Sequence, residues 1–319
     1  ISGSSYTDII TVTGRVDGDL DLKGGYDVLR MGNSANRLTA SNIESILGGT
    51  ANDRVVLETL ITYGNIHLGG GSDVLTFSEF GGTASISGIE TVNGGDGAET
   101  IKVTTRANGG KFDLGDGFDR LTLGSFKNEL TIANIESVVA GISADVLTVT
   151  GDFRGSINLG AGRDSVTFGD NGVTASLAGI ESIEAGSGDD TIVLRSAISK
   201  GTVDLGGGED VLRLYGGYNW ITVSGVESLV GGSGIDDIFL ASRINGGTID
   251  LAGGADRLTL GAFVNSVDIK SVETVIGNTK SDTVVLVAAY SGGTFDLKAG
   301  SDSLYISDLG GTLTAANIE

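Results

Sequence analysis

A repeat of about 46 residues runs through the whole chain and constrains its fold more than any other feature. A glutamate follows Ile or Val in seven segments such as SNIESI, SGIETV and SGVESL, with spacings of 46 residues and, once, 45. These glutamates are Glu44, Glu90, Glu136, Glu181, Glu227, Glu273 and Glu319. Seven repeats without a linker predict an architecture in which each unit packs mainly on its neighbours.

Each repeat divides into two halves, and an acidic residue opens a short strand in both. The first-half residues are Asp8, Asp53, Glu99, Asp145, Asp190, Asp236 and Asp282, and the second-half residues are Asp27, Asp73, Asp119, Asp164, Asp210, Asp256 and Asp302. Apolar residues alternate with other residues after each acid, as in DVLTV and DRLTL, which indicates a strand with one buried face. The predicted inward side chains include Leu75, Phe77, Leu121, Leu123, Val166, Phe168, Leu258 and Leu260.

Short strands with glycine turns in register predict an all-β fold, a parallel β-solenoid of the β-roll or β-helix kind. We expect two coils of about 23 residues per repeat, and a single continuous array over residues 1–319 that is part of a longer chain. The alternative is a propeller of seven blades, since blade repeats have a similar length. Trp220, the only tryptophan, is not at a repeated position, and the doubled halves favour stacked coils.

Composition narrows the class of protein further. The chain has 54 glycines, no proline, no cysteine and 6% aromatic residues, which indicates a regular, turn-rich fold without disulfides. The net charge of −21 argues against nucleic acid and anionic membranes as partners and favours cations. No apolar run is long enough for a transmembrane helix. The N-terminal ISGSSYTD lacks the features of a signal peptide, so we expect any export signal to lie outside this sequence.

The turn GGSGIDDIF, residues 231 to 239, places a carboxylate at the end of a glycine-rich turn. Stacked coils predict that the fourteen carboxylates form a column with a spacing of about 5 Å. Two unit charges at that distance repel by about 1 kcal/mol in water and by about 3 to 4 kcal/mol at an effective dielectric constant of 20. The column therefore needs a counter-ion, protonation or outward splaying, and Ca²⁺ suits carboxylate and carbonyl oxygens. Zinc is disfavoured because there is no cysteine and only His67.

The same stretch resembles a known family. GGSGIDDIF matches the nonapeptide of the RTX, or hemolysin-type, calcium-binding repeat, while GGDGAETIK at 94–102 has Glu99 in place of Asp and AGSGDDTIV at 185–193 lacks the first glycine. LGGGSDVLT, LGGGEDVLR and LAGGADRLT keep the fourth-place glycine and the aspartate. The resemblance implies a β-roll with Ca²⁺ between stacked turns, and Asp236, Asp73, Asp210 and Asp256 as ligands. The chain is also similar to repeat regions of bacterial S-layer proteins and surface adhesins.

We predict twelve metal ligands and leave out Asp8 and Asp282, whose turns have lost most glycines. The twelve are Asp27, Asp53, Asp73, Glu99, Asp119, Asp145, Asp164, Asp190, Asp210, Asp236, Asp256 and Asp302. The alternative is that each carboxylate accepts backbone N–H bonds and ends the turn without a metal. In contrast to the family, the pattern predicts one such loop per coil of 20 or 26 residues.

A second acidic set, one strand earlier, is predicted on a flat, solvated face, or alternatively facing a basic or Ca²⁺-bridged partner. It comprises Asp21, Glu44, Glu90, Asp113, Glu136, Glu181, Asp204, Glu227, Asp250, Glu273, Asp296 and Glu319. The near-constant spacing leaves no room for long active-site loops, and we predict no catalytic residue and no organic cofactor.

The sequence therefore predicts a non-enzymatic structural module of a secreted bacterial cell-surface, S-layer, adhesin or extracellular-matrix filament protein, rigidified by Ca²⁺. We expect self-association, end to end or lateral, with a cell-surface polysaccharide as a further candidate partner, and neither nucleic-acid binding nor membrane insertion. A metal-free adhesive filament and a polysaccharide-acting β-helix enzyme are the alternatives.

Overall fold

The computed structural model describes residues 1–306, 308 and 310–319. Every regular element within these residues is a strand, and none of the described segments is a helix long and apolar enough to cross a bilayer. Contacts between Cα atoms divide the chain into two compact units, Ile1–Gly162 and Arg163–Glu319. Each unit is described separately below.

The first unit consists of two parallel sheets, and the chain passes from one sheet to the other at every turn. One sheet contains β1 (Ile9–Val12), β3 (Val28–Met31), β5 (Ser45–Leu47), β7 (Ile61–His67), β9 (Gly82–Ser87), β11 (Glu99–Val103), β13 (Arg120–Thr122), β15 (Ser137–Val139) and β17 (Arg154–Asn158). The other contains β2 (Asp17–Asp21), β4 (Arg37–Ser41), β6 (Arg54–Leu57), β8 (Val74–Thr76), β10 (Thr91–Gly95), β12 (Asn108–Gly115), β14 (Glu129–Ala133) and β16 (Val146–Val149). Each strand pairs with the strand two places later, so one coil contains two strands.

The second unit has the same construction. One sheet contains β18 (Ser165–Phe168), β20 (Ser182–Glu184), β22 (Ser199–Asp204), β24 (Asn219–Ser224), β26 (Asp236–Leu240), β28 (Arg257–Thr259), β30 (Thr274–Asn278), β32 (Tyr290–Lys298) and β34 (Gly311–Ala316). The other contains β19 (Thr174–Ala178), β21 (Thr191–Leu194), β23 (Val211–Arg213), β25 (Ser228–Val230), β27 (Asn245–Asp250), β29 (Ser266–Lys270), β31 (Thr283–Leu286) and β33 (Ser303–Ile306). The predicted all-β, parallel β-solenoid is confirmed in both units, and a propeller is excluded.

The predicted coil length is wrong. Residues that face each other on successive coils are 17 to 21 positions apart, as for Val28, Ser45 and Asn65. A repeat of 46 residues therefore contains five strands, or two and a half coils, instead of two coils. The prediction was too long because it counted one coil for each of the fourteen acidic positions, and only two of the five strands in a repeat follow such a position. As a consequence, Asp27 precedes β3 and Asp73 precedes β8, so equivalent residues of consecutive repeats lie on alternate sheets.

The core of each unit lies between its two sheets, where the inward residues of successive strands stack. The eight side chains predicted to point inward are all at most 5% exposed. Phe112 is typical, because it is 2% exposed and stands in register between Val92 and Ile132. Burial of these stacked apolar side chains stabilises the solenoid, and the short turns hold the residues that precede each strand.

Candidate functional site

The residue that ends each turn, just before or at the start of a strand, faces its counterparts in the neighbouring coils. Along one edge of the first unit these residues are Val16, Asn36, Asp53, Asp73 and Glu90. The backbone N–H of each donates to a side-chain oxygen of the next: to Asn36 Oδ1 at 2.8 Å, Asp53 Oδ1 at 2.9 Å, Asp73 Oδ1 at 2.7 Å and Glu90 Oε2 at 2.9 Å. We call this row the turn ladder.

The turn ladder recurs along both edges, and the order of its residue types varies from run to run. Its other runs include Asp8–Asp27–Glu44, Glu99–Asp119–Glu136, Ala107–Asn128–Asp145, Asp164–Glu181, Asp190–Asp210–Glu227, Asp236–Asp256–Glu273 and Asn265–Asp282–Asp302. Asn219 donates to Asp236 through its side-chain Nδ2. The fourteen turn acids therefore do not form one column, as the sequence had suggested. They lie in short acidic groups on two edges, because five strands per repeat place successive repeats out of phase with a two-strand coil.

The second acidic set splits into two groups with different surroundings. Its glutamates from Glu44 to Glu273 belong to the turn ladder and are half-buried, and their Oε2 atoms accept backbone N–H bonds from aspartates such as Asp73 and Asp210. Its aspartates lie at strand ends, exposed or half-buried. Their Oδ1 atoms accept the backbone N–H two residues later, as Asp21 does from Lys23 at 3.0 Å. The predicted flat acidic face is therefore only partly present.

All twelve predicted ligand side chains are at most 2% exposed. In the aspartates among them, the Oδ1 atom accepts the ladder hydrogen bond. In many of these aspartates the other oxygen, Oδ2, is buried and has no hydrogen-bond partner among the described residues. This holds for Oδ2 of Asp27, Asp53, Asp73, Asp119, Asp190, Asp210, Asp256 and Asp302. Buried polar atoms almost always have a partner, so these oxygens point to a proton or a cation.

The first glycine of the motif lies against the carboxylate. A methyl group added at Gly231 would lie 2.6 Å from Oδ2 of Asp236 and 2.5 Å from the carbonyl oxygen of Leu251. A methyl group at Gly3 would be equally close to Asp8 Oδ2, at 2.5 Å. Only glycine fits at this contact, which brings its backbone against a carboxylate oxygen and a carbonyl oxygen. We call it the glycine cradle.

Burial makes the ladder carboxylates weaker acids. It raises the pKa of Asp73, Asp210 and Asp256 to about 6, and the preceding ladder aspartate on each edge adds to the rise through its charge. Burial also raises the pKa of Glu99, next to the Asp119 charge, and that of Asp119. Asp73, Asp210 and Asp256 therefore hold their protons to a higher pH than ordinary aspartates do.

The residues offer a calcium ion carboxylate oxygens together with backbone carbonyl oxygens. No three His, Cys, Asp or Glu side chains in the described part of the chain are grouped to hold a metal. The contact at Gly231 brings one carboxylate oxygen and one carbonyl oxygen together, and Ca²⁺ accepts both kinds of ligand. Among the buried oxygens without a partner in the described residues, Asp53 Oδ2 lies in the equivalent contact, 2.7 Å from a methyl group added at Gly48, and the twelve predicted ligands stay a prediction.

Sequence reasoning missed the ladder asparagines Asn36, Asn128, Asn219 and Asn265. Their Nδ2 atoms donate to Oδ1 of Asp53, Asp145, Asp236 and Asp282 at 2.7 to 2.9 Å. Each also donates to carbonyl oxygens of its own turn, as Asn36 does to Ser34 at 2.6 Å. The signal was available, since each asparagine lies 17 residues before its aspartate.

Comparison with known proteins identifies no relative: no family model, curated protein or solved structure matches the chain. The resemblance to the RTX repeat therefore rests on the motif alone. The contact between the motif's first glycine and its aspartate gives that motif a structural reason in this chain.

Proposed function

We propose that the chain is a structural repeat module of a secreted bacterial cell-surface or extracellular filament protein, and that Ca²⁺ bound in its glycine turns rigidifies it. The observation that carries the proposal is the turn ladder, with its buried carboxylate oxygens that have no partner. A parallel solenoid with short turns suits a rigid spacer or a self-associating filament. Secretion, surface location and self-association are parts of this proposal.

The electrostatic argument concerns neighbouring members of the ladder. Asp53 and Asp73 are successive, as are Asp236 and Asp256, and strands of one sheet are about 4.8 Å apart. Two ionised carboxylates at that distance repel by about 3 to 4 kcal/mol at an effective dielectric constant of 20. The backbone N–H bonds offset part of this repulsion, and a divalent cation would offset more.

The residues of the chain have distinct roles in this proposal. The ladder carboxylates provide negative charge. Gly231 and its equivalents allow neighbouring coils to approach closely at the glycine cradle, and the turn carbonyls provide further oxygens. The ladder asparagines are neutral and fix the orientation of the aspartates 17 residues later, as Asn219 does for Asp236. Bound Ca²⁺ would supply the counter-charge that lets the ladder be fully ionised at neutral pH.

The test is thermal unfolding, followed by circular dichroism, in EDTA and in increasing Ca²⁺. A bound ion stabilises the folded state by about 2.7 kcal/mol per site when its concentration is 100 times the Kd. We therefore expect the Tm to rise with Ca²⁺ and to saturate, and to rise much less with Mg²⁺ at the same ionic strength. Mg²⁺ controls for charge screening, because it demands a stricter octahedral geometry.

A matched pair of variants separates the ladder from general acidity. Asp256→Asn removes a buried ladder charge and should weaken the response to Ca²⁺. Asp250→Asn removes a surface charge, paired with Lys270 at 2.7 Å, and should leave the response unchanged. A Tm that does not differ between EDTA and Ca²⁺ would remove calcium from the proposal and favour the metal-free filament.

A further inference from the structure

Two arginines lie side by side on the outer face of the first unit. Arg37 in β4 and Arg54 in β6 are direct partners in the parallel register, and both side chains are exposed. Arg15 lies on the coil before them, two residues ahead of Asp17, which pairs with Arg37 in the register. The three arginines line one open depression of about 490 Å³, together with Asn36 and Asn52.

The Arg37 and Arg54 guanidinium groups have no partner of opposite charge in the described part of the chain. Within residues 1–306, 308 and 310–319, neither group makes an ion pair or a side-chain hydrogen bond, although the chain has 41 acidic residues. The nearest acid in the register, Asp17, is bound by Arg15, with 2.7 Å between Nη2 and Oδ2. Like charges directly opposite each other on neighbouring strands are destabilising.

The fold itself does not require this pair. Along the same edge, the corresponding partners two repeats later are Glu129 and Val146, and they form the same parallel pairing. A further two repeats later, the partners are Trp220 and Asp237. Asp237 there pairs with Arg257 on the next strand, through both Nε and Nη2. At this later position an exposed arginine, Arg257, is thus matched by an acid from the adjacent strand.

We propose that Arg37 and Arg54, with Arg15 at the rim, bind a phosphate- or sulfate-type oxyanion. Each guanidinium offers a planar fork of N–H donors, and forks on neighbouring strands face one tetrahedral anion or two adjacent anionic groups of a polymer. Asn36 and Asn52 line the same depression, where their amides add neutral polar groups. This site is separate from the turn ladder and does not depend on calcium.

The net charge of −21 does not prevent such binding. At physiological ionic strength the Debye length is about 8 Å, so the distant carboxylates are largely screened and the nearby charges decide. The charged residues that line the depression are Arg15, Arg37, Arg54 and the buried Asp53, and Arg15 is bound to Asp17. This lining carries a net positive charge, and a bound oxyanion would replace the missing acid between Arg37 and Arg54.

The experiment is an NMR titration of the arginine Nε–Hε signals of the intact chain with sodium phosphate, against sodium chloride at the same ionic strength. We expect saturable shifts for Arg37 and Arg54 and none for Arg213, an exposed arginine flanked in the register by Val193 and Val230. Arg37→Ala and Arg54→Ala should each weaken phosphate binding at least fivefold. Arg213→Ala should leave it unchanged.

A second arm with dextran sulfate distinguishes the source of the oxyanion. Binding at least tenfold tighter per anionic group than inorganic phosphate indicates an anion carried on a polymer, and equal binding indicates a free ion. Either result supports the site if Arg37→Ala and Arg54→Ala weaken binding of the probe concerned. The proposal is overturned if neither probe shifts the Arg37 and Arg54 signals of the unaltered protein, or if Arg213 responds equally.

Discussion

Raising the pH in the absence of metal should destabilise the protein through its buried carboxyls. The pKa of Asp73, Asp210 and Asp256 is about 6 in the folded chain against about 3.9 in an unfolded one. A raised pKa means that the folded state holds the proton more tightly. Its stabilising contribution is complete below about pH 4 and is lost as the pH rises through 6.

The size of the effect follows from the shift. A rise of about 2 pKa units corresponds to at most about 3 kcal/mol per group, so each unit of the chain should lose several kcal/mol at most between pH 4.5 and pH 8. The lower limit of pH 4.5 avoids an opposite effect of surface groups. Hydrogen bonds from Asn42 and Lys298 lower the pKa of Asp21 and Asp296, whose contribution is lost only as the pH falls further.

The assay is urea unfolding in EDTA at both pH values, followed by circular dichroism. The double variant Asp210→Asn and Asp256→Asn should lose much of the pH dependence, because asparagine is neutral and already occupies ladder positions such as Asn219. The double variant Asp116→Asn and Asp204→Asn removes the same net charge from exposed sites and should keep the dependence. Equal or greater stability at pH 8 in EDTA would refute the reasoning, as would an unchanged loss in the ladder variant.

Two further predictions concern packing and use thermal or urea unfolding as the measurement. Gly231→Ala should destabilise the protein by about 1 to 3 kcal/mol, because the added methyl group meets a carboxylate and a carbonyl oxygen. Gly253→Ala, whose methyl group would enter open space, should be near neutral, and similar losses in both variants would argue against the glycine cradle. Phe112→Ala should cost about 3 to 5 kcal/mol. The exposed Phe118→Ala should stay within about 0.5 kcal/mol, and equal effects would contradict the assigned core.

The fold class could be predicted because alternation and turn spacing report directly on strands with one buried face. Inward residues such as Leu75 and Leu258 follow from that alternation, and both are fully buried. The coil length could not be read in the same way. Strands such as β4 begin without an acidic marker, and its sequence RLTAS looked like an extension of a neighbouring strand.

The turn ladder was only half visible in the sequence. The acidic positions stand out because their charge repeats, whereas Asn36 and its equivalents are neutral and lie among many other polar turn residues. Their role depends on register between coils, which the sequence period of 46 does not reveal. The Arg37 and Arg54 pair was missed for the same reason, since the two residues are neighbours only when 17 positions separate adjacent coils.

An odd number of strands per repeat has a consequence for how such a chain can grow or shrink by gene duplication. Gaining or losing one 46-residue unit would turn all downstream side chains through half a revolution, so that binding groups would reappear on the far side. A change of two units, or 92 residues, would leave each downstream side chain on its original side of the solenoid. Length variants that retain function should therefore differ by even numbers of repeats.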